Sequence, residues 1–265
     1  MRLLATDLDG TLLGPSGTLS DRNIQALRAA HDAGVLVVFA TGRPPFMVEE
    51  LVSRVGPAVS YGVLANGSVV CSFPDQQVLR SVEFDLATAV RVIEQLRDYD
   101  TRYGFALATD TGFTFEAGFV ERMPAATLGT PVADVLTSAH LATEALKLMV
   151  WHDHHRAHEL LALLPTLLDH ALAVTHMGAD CVEVGPAGID KAIALAWLCE
   201  RLGIDRSDVV AFGDEYNDHE MLRWAGHSVA MANAGEVTRA LCHETTSSNA
   251  DDGVAVVIER LLGSR

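Results

Sequence analysis

The chain is poor in cysteine, in positive charge and in long apolar runs. Its four cysteines, Cys71, Cys181, Cys199 and Cys242, are widely separated and form no C-x-x-C pair. That indicates neither a zinc site nor a disulfide framework and reads them as reduced packing residues. No segment approaches the ~20 consecutive apolar residues that a membrane span requires, so no membrane partner is expected. Lysine and arginine number 19 against 35 aspartates and glutamates, a net charge of −16, and such a surface repels nucleic acid and anionic lipid alike. Small phosphorylated substrates stay open, because one bound divalent cation reverses the field inside a single cleft. The first buried-type strand begins at Leu3, which leaves no room for a signal peptide and predicts a cytoplasmic protein. At 265 residues, 49% of them hydrophobic, the chain can build a substantial core, and its length suits two domains.

That first strand, Leu3-Leu4-Ala5-Thr6, runs straight into Asp7-Leu8-Asp9-Gly10-Thr11. Residues two apart in an extended chain point the same way and lie ~7 Å apart. Asp7 and Asp9 are therefore expected to leave the strand as a pair, with Gly10 permitting the turn that follows. Two carboxylates held together bind a cation or separate in pKa. An isolated Asp-Gly would read as a hairpin turn with one solvated acid; its partners further along the chain point elsewhere.

Ser20 and Asp21 offer caps for a helix to about His31, with Ile24, Leu27 and Ala30 on one face and Gly34 as its stop. Val35 to Ala40 is a continuous apolar run, as in a parallel strand covered on both faces, and it ends in Thr41-Gly42-Arg43-Pro44. A helix near Met47 to Val55 and a strand near Tyr61 to Leu64, broken at Ala65-Asn66-Gly67, continue the alternation. The pattern predicts a right-handed parallel α/β sheet whose ligand crevice lies outside the carboxyl ends of its strands. From Val82 it changes to an amphipathic helix (Ala89, Val92, Ile93, Leu96) and short strands near Phe105 to Ala108, Phe113 to Glu116 and Leu146 to Trp151. A helix over His158 to Leu168 and a hairpin centred on Gly178-Ala179-Asp180 follow, which together read as an inserted α+β domain. Alternation returns with a helix from Lys191 to about Arg201, the strand Val209 to Phe212, the loop Gly213-Asp214, a helix from Asp218 to Trp224 and a strand at Val229 to Met231. The expected division is 1–81 with 186–265 as the core and 82–185 as the insertion.

Asp7-x-Asp9-Gly10-Thr11, Thr41-Gly42-Arg43 after a hydrophobic strand, an isolated Lys191 opening a helix and Gly213-Asp214-x-x-Asn217-Asp218 after another strand stand in this order. Together they resemble the four motifs of the haloacid dehalogenase superfamily. The insertion, with Ala230-Met231-Ala232-Asn233-Ala234 and Asp252-Gly253-Val254-Ala255 near the end, is similar to that of the type-IIB-capped, Cof-like phosphatases. The resemblance covers the whole chain and implies a Rossmann-like parallel-sheet core with an α+β cap that selects the substrate. The residues suit the chemistry as well: phosphoryl transfer needs a nucleophile, charge neutralisation and a proton for the leaving oxygen. Asp7 fits the nucleophile that forms an aspartyl-phosphate, and Asp9 the acid and later the base. The resemblance assigns Mg²⁺ to Asp7, the main-chain carbonyl of Asp9 and Asp214, with Asp218 a further ligand or an orienter of the site. A helix N-cap is the structural alternative for Asp218. Lys191, otherwise a solvated charge at a helix start, would hold the phosphate and the charged nucleophile. Thr41 and the Gly42 amide match the phosphate-holding position, Asn217 is an additional donor, and Arg43 and Asn66 stand on the rim toward the substrate.

Three residues depart from the family pattern: Glu215 after Asp214, Ala192 after Lys191, and Ala232 in place of a glycine. None removes a catalytic group, though Glu215 brings an extra negative charge toward the metal or out to solvent. In the cluster His152, His154, His155 and His158, residues 154 and 158 have the i, i+4 spacing of metal ligands on a helix, but the cluster falls at a strand-to-helix turn, where polar residues are expected anyway. Ser247-Ser248-Asn249 reads as a loop. The resulting expectation is a Mg²⁺-dependent phosphatase of a small phosphorylated metabolite, in the first place a sugar phosphate, working as a monomer or weak homodimer. The alternatives are a phosphomutase of the same superfamily and a non-catalytic sugar-phosphate-binding protein.

Overall fold

The computed structural model describes residues 1–82, 84–109, 112–118, 132–133, 136, 145–176 and 181–263. They form two compact units, Met1–Ser81 with Ile189–Arg265, and Val82–Gly188. In chain order the first unit contributes β1 (Leu3–Thr6), β2 (Leu36–Ala40), β3 (Val59–Leu64), β4 (Val69–Ser72) and β5 (Val78–Ser81). The second contributes β6 (Tyr103–Ala108), β7 (Phe113–Glu116), β8 (Val132–Ala133), β9 (Lys147–His152), β10 (Leu172–His176) and β11 (Val182–Pro186). The chain then returns to the first unit with β12 (Val209–Gly213), β13 (His227–Ala230) and β14 (Glu244–Thr245).

The first unit is one eight-stranded sheet in the order β14-β13-β12-β1-β2-β3-β4-β5. Strands β14 through β3 are parallel, and β1 at their centre is buried along its whole length, as an apolar strand covered on both faces must be. Thr6 pairs with Phe212 on one side and Phe39 on the other. The register therefore brings the segments after β1, β2 and β12 to the same edge, and these begin with Asp7, Thr41 and Asp214.

The expected all-parallel sheet gains two antiparallel strands. Ala65 (φ 49°), Asn66 (φ 55°) and Gly67 (φ 97°) all take left-handed backbone angles. The chain therefore folds back at once, Leu64 pairs with Val69, and no crossover helix intervenes. The Asn-Gly pair is a turn signal as well as a break, and the apolar run Val69-Val70-Cys71 behind it is the returning strand.

A second difference lies at the end of the chain, where Gly253–Gly263 is a helix that the sequence pattern left unassigned. Its partner is the Asp21–Asp32 helix, capped by Ser20, whose hydroxyl accepts from the Asn23 N–H at 3.0 Å. Asn23 is buried and joins three segments, donating to the Leu12 carbonyl at 2.9 Å and accepting from the Ala255 N–H at 3.1 Å.

The second unit has a six-stranded sheet in the order β10-β11-β9-β6-β7-β8, antiparallel throughout except for β7 with β8. Ala89, Val92, Ile93 and Leu96 of the Leu86–Tyr99 helix pack with Phe105, Leu107, Leu148, Val150 and Val184 of the sheet in its hydrophobic core. The Ala157–Leu167 helix adds Leu160 and Leu164. Strands β10 and β11 pair as a hairpin up to His176 and Val182; the turn expected at Gly178-Ala179-Asp180 lies outside the described residues. Leu172 pairs with Pro186 and the Ala187 N–H donates to the Ala171 carbonyl at 2.8 Å, which carries this unit to Gly188.

Asn23→Leu keeps the branched shape of the side chain and orphans the Leu12 carbonyl and the Ala255 N–H together. It is expected to lower the unfolding free energy by about 2–4 kcal/mol, measured by urea denaturation of parent and variant.

Candidate active site

Lys191 is the first residue of the Lys191–Leu202 helix, capped by the Asp190 carboxylate on the Ile193 N–H at 2.7 Å. Its side chain is fully buried and donates to Asp7 Oδ1 at 2.8 Å and to Asp218 Oδ1 at 2.6 Å. The other oxygen of Asp218 accepts from the backbone N–H groups of Asp214 (3.0 Å) and Glu215 (3.1 Å). Asp218 thus fixes both the ammonium and the loop that carries Asp214. It reaches back over the turn before it, and its carboxylate does not cap the helix that follows.

Asp214 accepts from the Thr11 hydroxyl. Gly10, the residue before Thr11, has φ +79°, and a methyl group on its Cα would overlap the Asp214 carboxylate. Glycine is required there both for its backbone angle and for the close approach. Gly213 has a similar role, since a Cβ there would come within 2.6 Å of the Asp218 Cβ.

Asp7 and Asp9 do not leave the strand as a pair. Strand β1 stops at Thr6, the two-residue alternation ends with it, and the chain turns through Leu8 to Thr11. Asp7 stays buried on Lys191, while the half-exposed Asp9 accepts two bonds from Arg43, Nε to Oδ2 at 2.7 Å and Nη2 to Oδ1 at 2.6 Å. Asp7, Asp214 and Asp218 each offer a carboxylate oxygen, all within 4.8 Å of one another, and Asp9 contributes no carboxylate to this group.

The loops after β2 and β3 supply a second set of polar groups. Thr41 donates its N–H to the Val63 carbonyl at 2.9 Å and accepts the Asn66 N–H on its own carbonyl at 3.0 Å. Its hydroxyl accepts the Arg43 N–H at 3.1 Å, which leaves the hydroxyl hydrogen to donate. Asn217 donates to the Asn66 carboxamide oxygen at 3.0 Å, and that same oxygen would lie 3.3 Å from a Cβ on Gly42. Thr41, Gly42, Asn66 and Asn217 therefore form one connected group.

Three residues without an assigned role in the sequence reading brace the turn after Asp7. Thr11 holds Asp214. Asn233 donates to the Gly10 carbonyl at 2.8 Å and accepts the Asn249 N–H at 2.9 Å, and Asn249 donates to the Leu13 carbonyl at 2.8 Å. Thr11 and Asn233 stand inside motif stretches already singled out, but Asn249 sits in a segment whose composition says only loop. Glu215 resolves simply, folding back to accept the Tyr216 N–H at 2.9 Å. His152 is buried, and its Nδ1 accepts the N–H groups of His154 (3.1 Å) and His155 (3.2 Å); among the described residues these histidines build no metal-binding group.

Burial raises the Asp7 carboxyl well above its ordinary pKa; the Lys191 ammonium opposes this, and the charges of Asp218 and Asp214 add to it. Burial also raises Asp214, to about 7, against the hydrogen bond from Thr11. Lys191 is raised too, because Asp218 and Asp7 outweigh a desolvation that would lower it. One ammonium thus faces a crowded set of acids, and an all-oxygen donor set with excess negative charge suits a hard divalent cation.

In chelator-treated protein the sign of the pH dependence follows. A carboxyl whose folded pKa of about 7 exceeds its unfolded value of 3.8 contributes stability below the unfolded value and loses it as pH rises through the folded one. Asp214→Asn keeps the bond from Thr11 and does not titrate. Its stability relative to the parent should therefore climb between about pH 4 and 7, by at most about 1.4 kcal/mol per pH unit. Urea unfolding at several pH values measures the climb, and a flat difference would contradict the burial account.

The haloacid dehalogenase-like hydrolase profile matches residues 4–258. HMP-PP phosphatase of Enterobacter sp. (strain 638) is 31% identical over 237 residues, 88% of this chain and 85% of the relative. The 5-amino-6-(5-phospho-D-ribitylamino)uracil phosphatase YcsE of Bacillus subtilis (strain 168) is 30% identical over 259 residues, 97% of this chain and 94% of the relative. Among solved structures, a superfamily phosphatase from Bacteroides thetaiotaomicron superposes with a TM-score of 0.84 at 26% identity, covering 99% of this chain and 95% of its own. With the four motifs gathered at one sheet edge and a profile match along nearly its whole length, the chain belongs to the haloacid dehalogenase-like hydrolases.

Proposed function

We propose that the chain is a Mg²⁺-dependent phosphomonoesterase that hydrolyses a small phosphorylated metabolite through an aspartyl-phosphate on Asp7. The observation that carries this reading is the Asp7 carboxylate itself, buried, with one oxygen on the Lys191 ammonium at 2.8 Å and Asp214 and Asp218 beside it. A carboxylate serving only structure gains nothing from two further acids crowded around it. The relatives named above are phosphatases named for HMP-PP and for 5-amino-6-(5-phospho-D-ribitylamino)uracil, which supports a small phosphorylated metabolite here.

Asp7 attacks phosphorus as the bond to the leaving oxygen breaks, and that oxygen takes a proton from Asp9. Water then attacks the aspartyl-phosphate, gives its proton to the Asp9 carboxylate, and inorganic phosphate leaves with both aspartates restored. Lys191 holds charge on Asp7 and on the phosphoryl oxygens, and Thr41, the Gly42 amide and Asn217 donate to the same oxygens. Asp7 and Asp214, with the main-chain carbonyl of Asp9, would hold the Mg²⁺; Asp218, whose oxygens serve Lys191 and two backbone N–H groups, orients them. The ion would neutralise charge on the non-bridging oxygens of the substrate. Arg43 and Asn66 lie on the rim, and the unit Val82–Gly188 acts as the cap that selects the substrate. No helix among the described residues is long and apolar enough to cross a membrane.

Phosphate release from about a hundred phosphorylated metabolites, sugar phosphates among them, ranked by kcat/KM, tests the reading. Asp7→Asn should lower kcat by at least about 10³-fold in a protein that still folds, as its far-UV circular dichroism shows. Asp9→Asn should slow both half-reactions by about 10²–10⁴-fold. EDTA should abolish turnover and added Mg²⁺ restore it. Substantial hydrolysis by pure Asp7→Asn protein removes the nucleophile assignment, and isomerised hexose phosphate without free phosphate would make the chain a mutase.

A further inference from the structure

The Asp9 carboxylate stands at the tip of the turn after β1 with its side chain 47% exposed, while its partner Arg43 is 18% exposed. A short acidic side chain so placed would sample several rotamers. Here each of its oxygens accepts one bond from the same planar guanidinium, at 2.7 and 2.6 Å, and keeps a second lone pair for the proton it exchanges. Such a fork fixes the plane as well as the direction of a carboxylate. The fork is braced in turn. The Arg43 N–H donates to the Thr41 hydroxyl at 3.1 Å, and the Arg43 carbonyl accepts the Ala65 N–H at 2.9 Å. The segment that presents Thr41 thus also presents the guanidinium, at a set place relative to β2 and β3.

We propose that Arg43 is the positioning residue of Asp9: it aims the carboxylate that serves the leaving oxygen and is not primarily a substrate contact. The proposal rests on the phosphatase reading and gives a residue of that site a role different from rim recognition. A positioning role predicts a loss that depends on how much the leaving oxygen needs a proton. A substrate-binding role predicts a loss that does not.

Two esters separate these. Glycerol 2-phosphate leaves as an alkoxide that must be protonated, whereas p-nitrophenyl phosphate leaves as a stabilised phenolate that need not be. With enzyme in excess, a single turnover reads the transfer to Asp7 alone, before the hydrolysis common to both esters. Arg43→Met should slow transfer from glycerol 2-phosphate by about 10²-fold and from p-nitrophenyl phosphate by less than about fivefold, the split that Asp9→Asn also shows. The enzyme concentration giving half-maximal rate should stay within about threefold of the parent's for both esters. Arg43→Lys, which reaches one oxygen but cannot fork, should fall between; it also carries the test if the methionine variant fails to fold.

Equal losses on the two esters, or a loss confined to half-saturation, overturn the proposal and return Arg43 to substrate binding. A parent that transfers phosphate from neither ester overturns the phosphatase reading and this proposal with it. An Asp7→Asn protein that is inactive beside an Arg43→Met protein without a split overturns the proposal alone.

Discussion

The Lys191 ammonium, buried between Asp7 and Asp218, is the interaction on which the rest of the site depends. An unpaired ammonium in an apolar interior is too costly to keep, so its burial requires partners held at hydrogen-bonding distance. Those partners come from two different strand ends, Asp7 from β1 and Asp218 from the turn after β12, and Lys191 itself starts a helix. Each must arrive with small error. Asp218 secures the second by binding two N–H groups of its own loop, and the glycines at 10 and 213 clear the space that this close approach demands. The sequence has two lysines, Lys147 and Lys191, and both are buried against carboxylates, Glu183 in the first case.

The general position of the site was legible because parallel strands impose it. In a sheet of this kind each hydrophobic run says where its carboxyl end lies, and the register brings neighbouring ends together. Finding Asp7, Thr41 and Asp214 just after such runs was therefore enough to gather them without a structure. Lys191 was legible only through its place between the second and fourth motifs of the family resemblance, since a lone lysine at a helix start otherwise reads as a solvated charge. Side-chain direction was not legible in the same way. The two-residue alternation that suggested a carboxylate pair holds only while the chain is extended, and β1 ends before Asp7. Once the chain turns, what Asp7 and Asp9 face depends on Lys191 and Arg43, which lie far off in sequence.

The other gaps have the same physical origin. Asn23, Asn233 and Asn249 act through carboxamides that donate and accept at once, joining the turn after Asp7 to the end of the chain. A carboxamide gives no periodic signal, and any asparagine in a polar stretch reads as loop. The hairpin between β3 and β4 escapes the sequence pattern because Ala65-Asn66-Gly67 reads equally well as the end of a strand; three successive left-handed residues also reverse the chain.

The two cations of the site are of different kinds, and their partners explain the difference. Lys191 must satisfy two carboxylates at once, from inside the protein and from different directions. A compact ammonium with three rotatable N–H groups can do this, and two of them go to Asp7 and Asp218. Arg43 engages a single carboxylate near the surface, where water competes and orientation rather than charge is scarce. A rigid planar fork with two parallel N–H groups answers that need, and both go to Asp9. Exchanging the two would leave a large planar group where two short contacts converge and a freely rotating point charge where a plane has to be fixed. The site therefore separates two physical tasks by depth, with charge compensation in the interior and carboxylate orientation at the rim.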